Sequence, residues 1–373
     1  MLDQLRQEID RIDDGIKDLF TERMNCVEKI AAYKGAEGIS VYDGGREREI
    51  IARLTAGCGD ELGEYIKTLF NVVFDISKAK QNSGKNIKSE ICAKIKASAE
   101  NTPKTFPQSA SVACQGAEGS YSQIACEKLF SRPSIMYSKH FDGVFGAVEK
   151  GLCKYGILPI ENSLHGSVTE VYDLMKKYDF HIARSIRLKV DHALLCKSGA
   201  VLGDIKEIWS HEQGLAQCGG FIGKLPDVKT VAWENTASAA KDLSAAERTD
   251  VAVIASPVCA EIYGLSVLER DIQNNANNYT RFICISKELE IYPGSDKISL
   301  MFTLPHKPGS LYGIIAKFAA MGINLTKIES RPIPERDFEF MFYADIEAEI
   351  TDSLLSLMCG LETSGLELLG IYS

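Results

Sequence analysis

Residues 2–34 read LDQLRQEIDRIDDGIKDLFTERMNCVEKIAAYK, and the order of apolar residues in this stretch decides the architecture of the first segment. Leu2, Leu5, Ile9, Ile12, Ile16 and Leu19 alternate steps of three and four, the period of an apolar stripe along an α-helix. The stripe continues through Ile30. A helix of about 30 residues points to a bundle or a coiled coil. Beyond Leu19 the alternation asks for another apolar residue, and Arg23 stands there instead. Lys34 follows 11 residues later, almost three turns on the same azimuth and about 16 Å away. Arg6 lies 17 residues before Arg23, rotated from it by about 100°. One helix cannot aim all three cations at one small ligand, whereas a dimer of long helices can, with Arg6 reaching the partner's site. Taken alone, Arg23 is equally a snorkelling residue at the edge of a coiled coil.

Working outward, Gly35, Gly38 and Gly44-Gly45 break the helix, and Asp43 is placed to cap a second, short helix from Gly44 to Leu54. Gly57 and Gly59 end it. A third helix is expected from Glu61 to Gln81, with Leu62, Ile66, Leu69, Val73 and Ile76 on one face. Arg46 and Glu47 open the second helix, while Ser77 and Gln81 sit one turn apart on the third. Residues 83–108, rich in Lys, Ser and Asn and carrying Pro103 and Pro107, read as a linker with a short helix near 90–99.

From Ala110 short apolar runs alternate with helical stretches, as in Ser111–Ala113, Gly156–Leu158, Ile208–Ser210, Val251–Ile254 and Phe282–Ile285, an α/β pattern. After a break near Gly294 the order becomes strand (Lys297–Leu304), helix (Ser310–Met321), strand (Asn324–Arg331), strand (Phe338–Ile346), helix (Asp352–Thr363), strand (Leu366–Tyr372). That βαββαβ order suits an α+β ferredoxin-like sandwich. A chain of 373 residues is expected to hold two or three domains. Here they are all-α at 1–82, α/β at 109–288 and α+β at 296–373.

The net charge of -9 argues against nucleic-acid binding, and an anionic substrate requires a local concentration of cations. The 11 cysteines are scattered, with no Cys-x-x-Cys and no zinc-finger spacing, so they are expected to be reduced, mostly buried thiols, and no metal site is expected. No apolar run reaches the roughly 18 residues of a membrane span. The chain opens on a charged amphipathic segment rather than a leader, so a cytoplasmic location is expected.

Residues 1–82 resemble the all-helical chorismate mutase family at Arg6, Arg23, Lys34, Asp43, Arg46, Glu47, Ser77 and Gln81. The resemblance implies a site shared across an intertwined dimer, with those eight residues binding chorismate. In such a site arginines hold the carboxylates, and Lys34 and Gln81 donate to the ether oxygen whose bond breaks. Met24 departs from relatives that carry a second charge beside the arginine.

In the middle segment four stretches stand out. They are Gly116–Ser122, a Gly-rich turn before a helix and so an anion cradle; Pro159–Ser163 with Gly166–Val168; Ser210–Cys218; and Asn278–Phe282. Singly each has an ordinary reading, Ser210 for instance as a helix N-cap. Together, in this order, they resemble the prephenate dehydratase family. The resemblance implies two α/β lobes similar to periplasmic binding proteins, the chain crossing between them near Ser185 and Leu265. It implies Thr280 as the acid or its positioner, and Arg281 on a carboxylate. Ser120, Asn162, Ser163, Gln217 and Thr236 then bind prephenate, Glu161 orients Asn162, and Phe282 completes the run. Asn235 replaces the serine common in relatives.

Lys307–Tyr312 and Glu329–Pro332 resemble the phenylalanine-binding motifs of dehydratase ACT domains. This implies an L-phenylalanine effector at a subunit interface, near Gly309, Ser310, Leu311, Glu329, Ser330, Arg331 and Pro332, with Ser310 in place of the usual Ala. The whole then reads as a bifunctional enzyme, a homodimer or homotetramer without cofactor. Two other readings stay open: a two-lobed ligand sensor with a helical dimeriser, and a dehydratase whose helical segment is only a scaffold. The Thr280-Arg281-Phe282 run speaks against the first, and Lys34 with Gln81 against the second.

Overall fold

The computed structural model describes every residue except 38, 40–42, 83–89, 305, 307–308, 334–338 and 363–364. It falls into two compact units, residues 1–96 with 300–368, and residues 97–299 with 369–373.

The first unit opens with the long-short-long helices α1 (Leu2–Ala36), α2 (Gly44–Thr55) and α3 (Asp60–Asn82). Asp43 caps α2 as expected, accepting from the Arg46 amide at 3.0 Å. Gly57 follows α2 with φ +80°, a conformation that suits glycine. Val27 is the one buried residue of α1, and its apolar stripe faces outward, Ile16 at 60% and Leu19 at 69% exposure. Among the described residues, Leu2, Leu5, Ile9 and Ile12 of this stripe are exposed as well.

Next comes α4 (Glu90–Asn101), with Cys92 and Ile95 buried. The segment 83–108 is therefore not simply a linker. Residues 83–89 lie outside the described residues, but Thr102 and Phe106 are already part of the second unit. Thr102 Oγ1 accepts from the Ile291 amide at 3.0 Å, and the Phe106 ring lies 5.0 Å from that of Phe130. Cys92 is joined in a disulfide to Cys359, correcting the expectation that every cysteine is a free thiol. The two lie 267 residues apart, and only packing brings their Cα atoms within 6.6 Å, a distance a disulfide spans. Seven of the remaining nine are buried thiols, as expected.

The second unit holds two sheets. The first has order β2-β1-β3-β11-β5, built from β1 (Ser109–Gln115), β2 (Arg132–Ser138), β3 (Tyr155–Asn162), β5 (His181–Lys189) and β11 (Tyr279–Ser286), with the short β4 (Gly166–Ser167) on β3. Helices α5 (Tyr121–Leu129), α6 (Phe141–Glu149) and α7 (Thr169–Met175) accompany it. The second has order β10-β6-β9-β7-β8, from β6 (Ala193–Cys196), β7 (Glu207–Ser210), β8 (Lys229–Ala232), β9 (Val251–Ala255) and β10 (Ser266–Glu269). With it go α8 (Glu212–Gln217), α9 (Gly219–Ile222), α10 (Thr236–Ala245) and α11 (Val258–Tyr263). Each sheet has its own apolar core, so these are two lobes. The chain crosses between them twice, but at 190–192 and 270–278. Ser185 lies mid-strand in β5, and Leu265 is packed into the core of the second lobe.

The last elements are β12 (Lys297–Leu304), α12 (Ser310–Ala320), β13 (Asn324–Pro332), β14 (Phe340–Glu347), α13 (Asp352–Glu362) and β15 (Leu366–Tyr372). Their sheet order, β13-β14-β12-β15, is the ferredoxin-like one, with β13 at an edge. The expected start of its third strand, Phe338, lies outside the described residues.

Candidate active sites

A cavity of about 430 Å³ opens between the two lobes. Its geometry begins with β11 and β3. Thr280 pairs with Asn162, Arg281 with Glu161 and Phe282 with Pro159, so Ile160 is an extra residue and β3 carries a bulge. The bulge lets Pro159 and Asn162 face the same side. Thr280, Phe282, Pro159 and Asn162 all line the cavity. Strand alternation turns Arg281 and Glu161 away from it, and they form an ion pair of 3.3 Å.

Asn162 is fixed from all sides. Its Oδ1 accepts from the amides of Leu164 (2.9 Å) and His165 (3.1 Å), which dictates that Nδ2 is the donor end. Nδ2 donates to Asn278 Oδ1 at 2.7 Å and to Thr280 Oγ1 at 3.0 Å. The Thr280 oxygen is thus an acceptor on the Asn162 side, and its own hydrogen is left to point elsewhere. Accepting a hydrogen bond also strengthens the hydroxyl as a donor.

The other predicted cleft residues divide. Ser120, Gln217 and Thr236 line the cavity. Ser163 does not: its hydroxyl donates to the Asn277 carbonyl and accepts from the Tyr279 amide, both at 2.9 Å, so it staples a loop. Asn235 lines the cavity as the N-cap of α10, accepting from the Ser238 amide at 2.7 Å. Serine and asparagine cap equally well, which explains the exchange. Ser120 caps α5 in the same way.

No Lys or Arg lines this cavity among the described residues. Positive potential comes instead from the N-terminal ends of α5 and α10, whose first residues Tyr121 and Thr236 border it. His192, on the first crossing, was not anticipated. Nothing about an isolated histidine after Lys-Val-Asp signals a site. Burial pushes its pKa down, so the ring is neutral. Its Nε2 lies 2.8 Å from Gln217 Oε1, which can only accept, so Nε2 carries the proton. Gln217 then keeps its amide hydrogens for the cavity. Tyr121 packs edge-on against the His192 ring and donates its hydroxyl to the Asp191 carbonyl.

In the helical unit Arg23 donates to Ser77 Oγ, with its guanidinium 5.9 Å from the centre of the Phe74 ring. Burial lowers its pKa, though an arginine so placed keeps its charge. Gln81 is buried one turn beyond Ser77, its Oε1 without a hydrogen-bond partner among the described residues. Lys34 lies half-buried in the last turn of α1. Glu47 pairs with Lys78 at 3.1 Å. Arg46 is exposed and pairs with Glu49 at 2.7 Å, and Asp43 serves as a cap. Arg6 is exposed beside Asp3 (3.6 Å), near the opposite end of α1 from Lys34. The chain alone brings Arg23, Ser77 and Phe74 together and leaves Arg6 about 26 Å along the helix from Arg23.

In the ferredoxin-like sheet, Gly309 stands at φ +83° before α12, whose first turn holds Ser310 and Leu311. Lys307 and Pro308 lie outside the described residues. Glu329, Ser330, Arg331 and Pro332 end the edge strand β13, paired with Tyr343, Phe342, Met341 and Phe340. Among the described residues no group of His, Cys, Asp and Glu could hold a metal ion, and no helix is long and apolar enough to cross a membrane.

Comparison with known proteins bears on both sites. The family model described as chorismate mutase type II matches residues 5–82, and that described as prephenate dehydratase matches residues 112–290. A bifunctional chorismate mutase/prephenate dehydratase of Aquifex aeolicus is 31% identical over 93% of this chain and 90% of its own. An arogenate dehydratase/prephenate dehydratase 2 of Arabidopsis thaliana is 39% identical over 65% of this chain, which spans 66% of that relative's length. Among solved structures, prephenate dehydratase of Arthrobacter aurescens in complex with L-Phe aligns with a TM-score of 0.65 at 28% identity, over 70% of this chain and 90% of that one. A protein described as a novel type of quorum quenching acylase, GqqA, aligns with a TM-score of 0.64 at 29% identity, over 70% of this chain and 97% of that one. A shared fold thus leaves the reaction to be argued from the site.

Proposed function

The chain belongs to the bifunctional chorismate mutase/prephenate dehydratase family, and on that premise we propose that it converts chorismate to prephenate in its helical unit and prephenate to phenylpyruvate between its lobes, under control of L-phenylalanine. The observation that carries the second activity is the Asn162–Thr280 hydrogen bond at 3.0 Å inside the cavity. Prephenate loses its ring hydroxyl and its ring carboxylate together, and one proton joins the hydroxyl to leave as water. The carboxylate departs as carbon dioxide, its bonding electrons complete the aromatic ring, and phenylpyruvate remains. Aromatisation supplies the driving force, so a positioned donor suffices. Thr280, held as a donor by Asn162, hydrogen-bonds the leaving hydroxyl. The helix N-termini behind Ser120 and Asn235, with the Gln217 amide, hold the carboxylates. Arg281, paired with Glu161, braces the strand rather than touching substrate in this arrangement.

The first activity is a pericyclic rearrangement needing no nucleophile. Arg23 binds a carboxylate, Ser77 orients it, and Lys34 and Gln81 donate to the ether oxygen as its bond breaks. Arg6 acts in a partner's site. The exposed stripe of α1 supports a dimer built along that helix, the homotetramer being a dimer of such dimers. Edge strand β13, ending in Glu329–Pro332, supports a second contact between copies, where L-phenylalanine binds beside Gly309, Ser310 and Leu311. The location is the cytoplasm.

Chorismate supplied in cofactor-free buffer is expected to yield prephenate and then phenylpyruvate, the second falling when phenylalanine is added. Prephenate accumulating alone would remove Thr280 from its role. Turnover of added prephenate but not of chorismate would reduce the helices to a scaffold.

A further inference from the structure

The Gly-rich loop before α5 belongs to the first lobe by sequence, yet the second lobe holds its tip. Tyr263, at the end of α11, donates its hydroxyl to the Glu118 carbonyl at 2.7 Å. Cys259, one turn earlier, directs Sγ to the Gly119 carbonyl at 3.5 Å. Gly119 stands at φ +84°, and a Cβ there would lie 2.6 Å from Cys259 Sγ, so the approach admits only glycine. Ala117 packs into the second lobe's core, which contains Cys259, Ala260 and Leu265. On its other side the loop is tied to the first lobe, where the Gly119 amide donates to Gln123 Oε1 at 2.7 Å. The next residue is Ser120, which caps α5 and lines the cavity.

We propose that Tyr263 is a positioning residue for the dehydratase reaction, its clasp on Glu118 setting the width of the cleft and the placement of Ser120 and the α5 amides on substrate. Tyr263 touches no substrate, and it is absent from the cavity lining. It works by fixing a first-lobe loop to the second lobe, so substrate finds the anion cradle already at its working distance from Gln217 and Thr236. Burial pushes the Tyr263 phenol up to about 12, so it remains a donor throughout the neutral range.

The inference rests on the dehydratase reading, and the test separates the two. Steady-state kinetics on the full chain would compare wild type with Tyr263→Phe, using added prephenate and, separately, chorismate. Losing one hydrogen bond is expected to raise the KM for prephenate about 5- to 10-fold, with kcat changed by about twofold or less and the mutase constants unchanged. The stacked pair Trp209–Trp233, 4.4 Å apart in the second lobe, reports folding there through near-ultraviolet circular dichroism. That signal should match wild type. Tyr263→Leu should raise KM as much, with the tryptophan signal kept. Unchanged prephenate kinetics in a folded Tyr263→Phe chain would overturn the clasp while leaving the dehydratase reading intact. A fall in kcat at constant KM would overturn it equally. A wild-type chain that does not consume prephenate would instead remove the reading on which the clasp depends.

Discussion

Thr280 and Asn162 face each other across two strands whose register a bulge has shifted, and the proposed reaction requires that Asn162 be the donor of the pair. Asn162 cannot rotate, because two backbone amides hold its oxygen, so the direction of the Thr280 hydroxyl follows from chemistry two residues further along the chain. Thr280→Val keeps the shape and removes the donor. Dehydratase kcat should fall at least ~100-fold, the scale of one positioned donor, while mutase turnover holds; a coupled assay on each substrate checks it. His192 makes a second expectation. Its pKa is lowered by burial, so the folded chain favours the neutral ring, and the stability this contributes is complete above the unfolded value of about 6.5 and is lost as pH falls below it. Melting curves at pH 7.5 and 5.5 should therefore separate in wild type and lie closer together in His192→Gln. An equal separation in both would mean the acid sensitivity lies elsewhere. At this scale the sequence motif was legible for Thr280, Asn162, Ser120, Gln217 and Thr236. It was silent on strand alternation, which turns Arg281 and Glu161 to the other face, and on the loop that occupies Ser163.

Among the elements, α1 was the most legible, because a period of 3.6 over 35 residues admits few alternatives. Short strands such as β6, β8 and β10, four residues each, carry too few positions to declare a period, and they went unseen until the sheet assembled them. Helix α4 was legible as the short helix near 90–99, but the meeting of its Cys92 with Cys359 happens only in three dimensions. The legible element also makes the firmest demand. Leu5, Ile9, Ile16 and Leu19 are all at least half exposed, and each apolar side chain of that size gains about 1.5–3 kcal/mol when buried. The proposed second copy laid along α1 would satisfy them and deliver Arg6 to the neighbouring Arg23. Ile9→Glu with Ile16→Glu should halve the mass seen by sedimentation at micromolar concentration, or reduce a tetramer to dimers, and mutase activity should disappear with it. Retained mutase activity in a dissociated chain would show that Arg6 is not supplied by a partner.

For the molecule as a whole, the length led to an expectation of two or three domains, and the two candidate sites fall in different compact units: Arg23, Ser77 and Gln81 lie in one, Thr280 and Asn162 in the other. Neither set contains a residue of the other, so loss of one leaves the other chemically complete. Lys34→Ala should lack the mutase and keep full turnover of added prephenate; Thr280→Ala should do the reverse and accumulate prephenate from chorismate. An equal mixture of the two variants should then make phenylpyruvate from chorismate, since prephenate is a soluble dianion that leaves one chain and enters another. At matched concentrations of each intact site the mixture should follow the wild-type time course. Phenylpyruvate should appear after a lag while free prephenate rises toward the KM of the second site. Adding excess Lys34→Ala chain should shorten that lag and lower the prephenate plateau, because it speeds consumption, whereas adding excess Thr280→Ala should raise the plateau. A mixture that stays silent although each variant keeps its remaining activity would mean that prephenate does not pass between chains, and the picture of two independent sites would have to be abandoned.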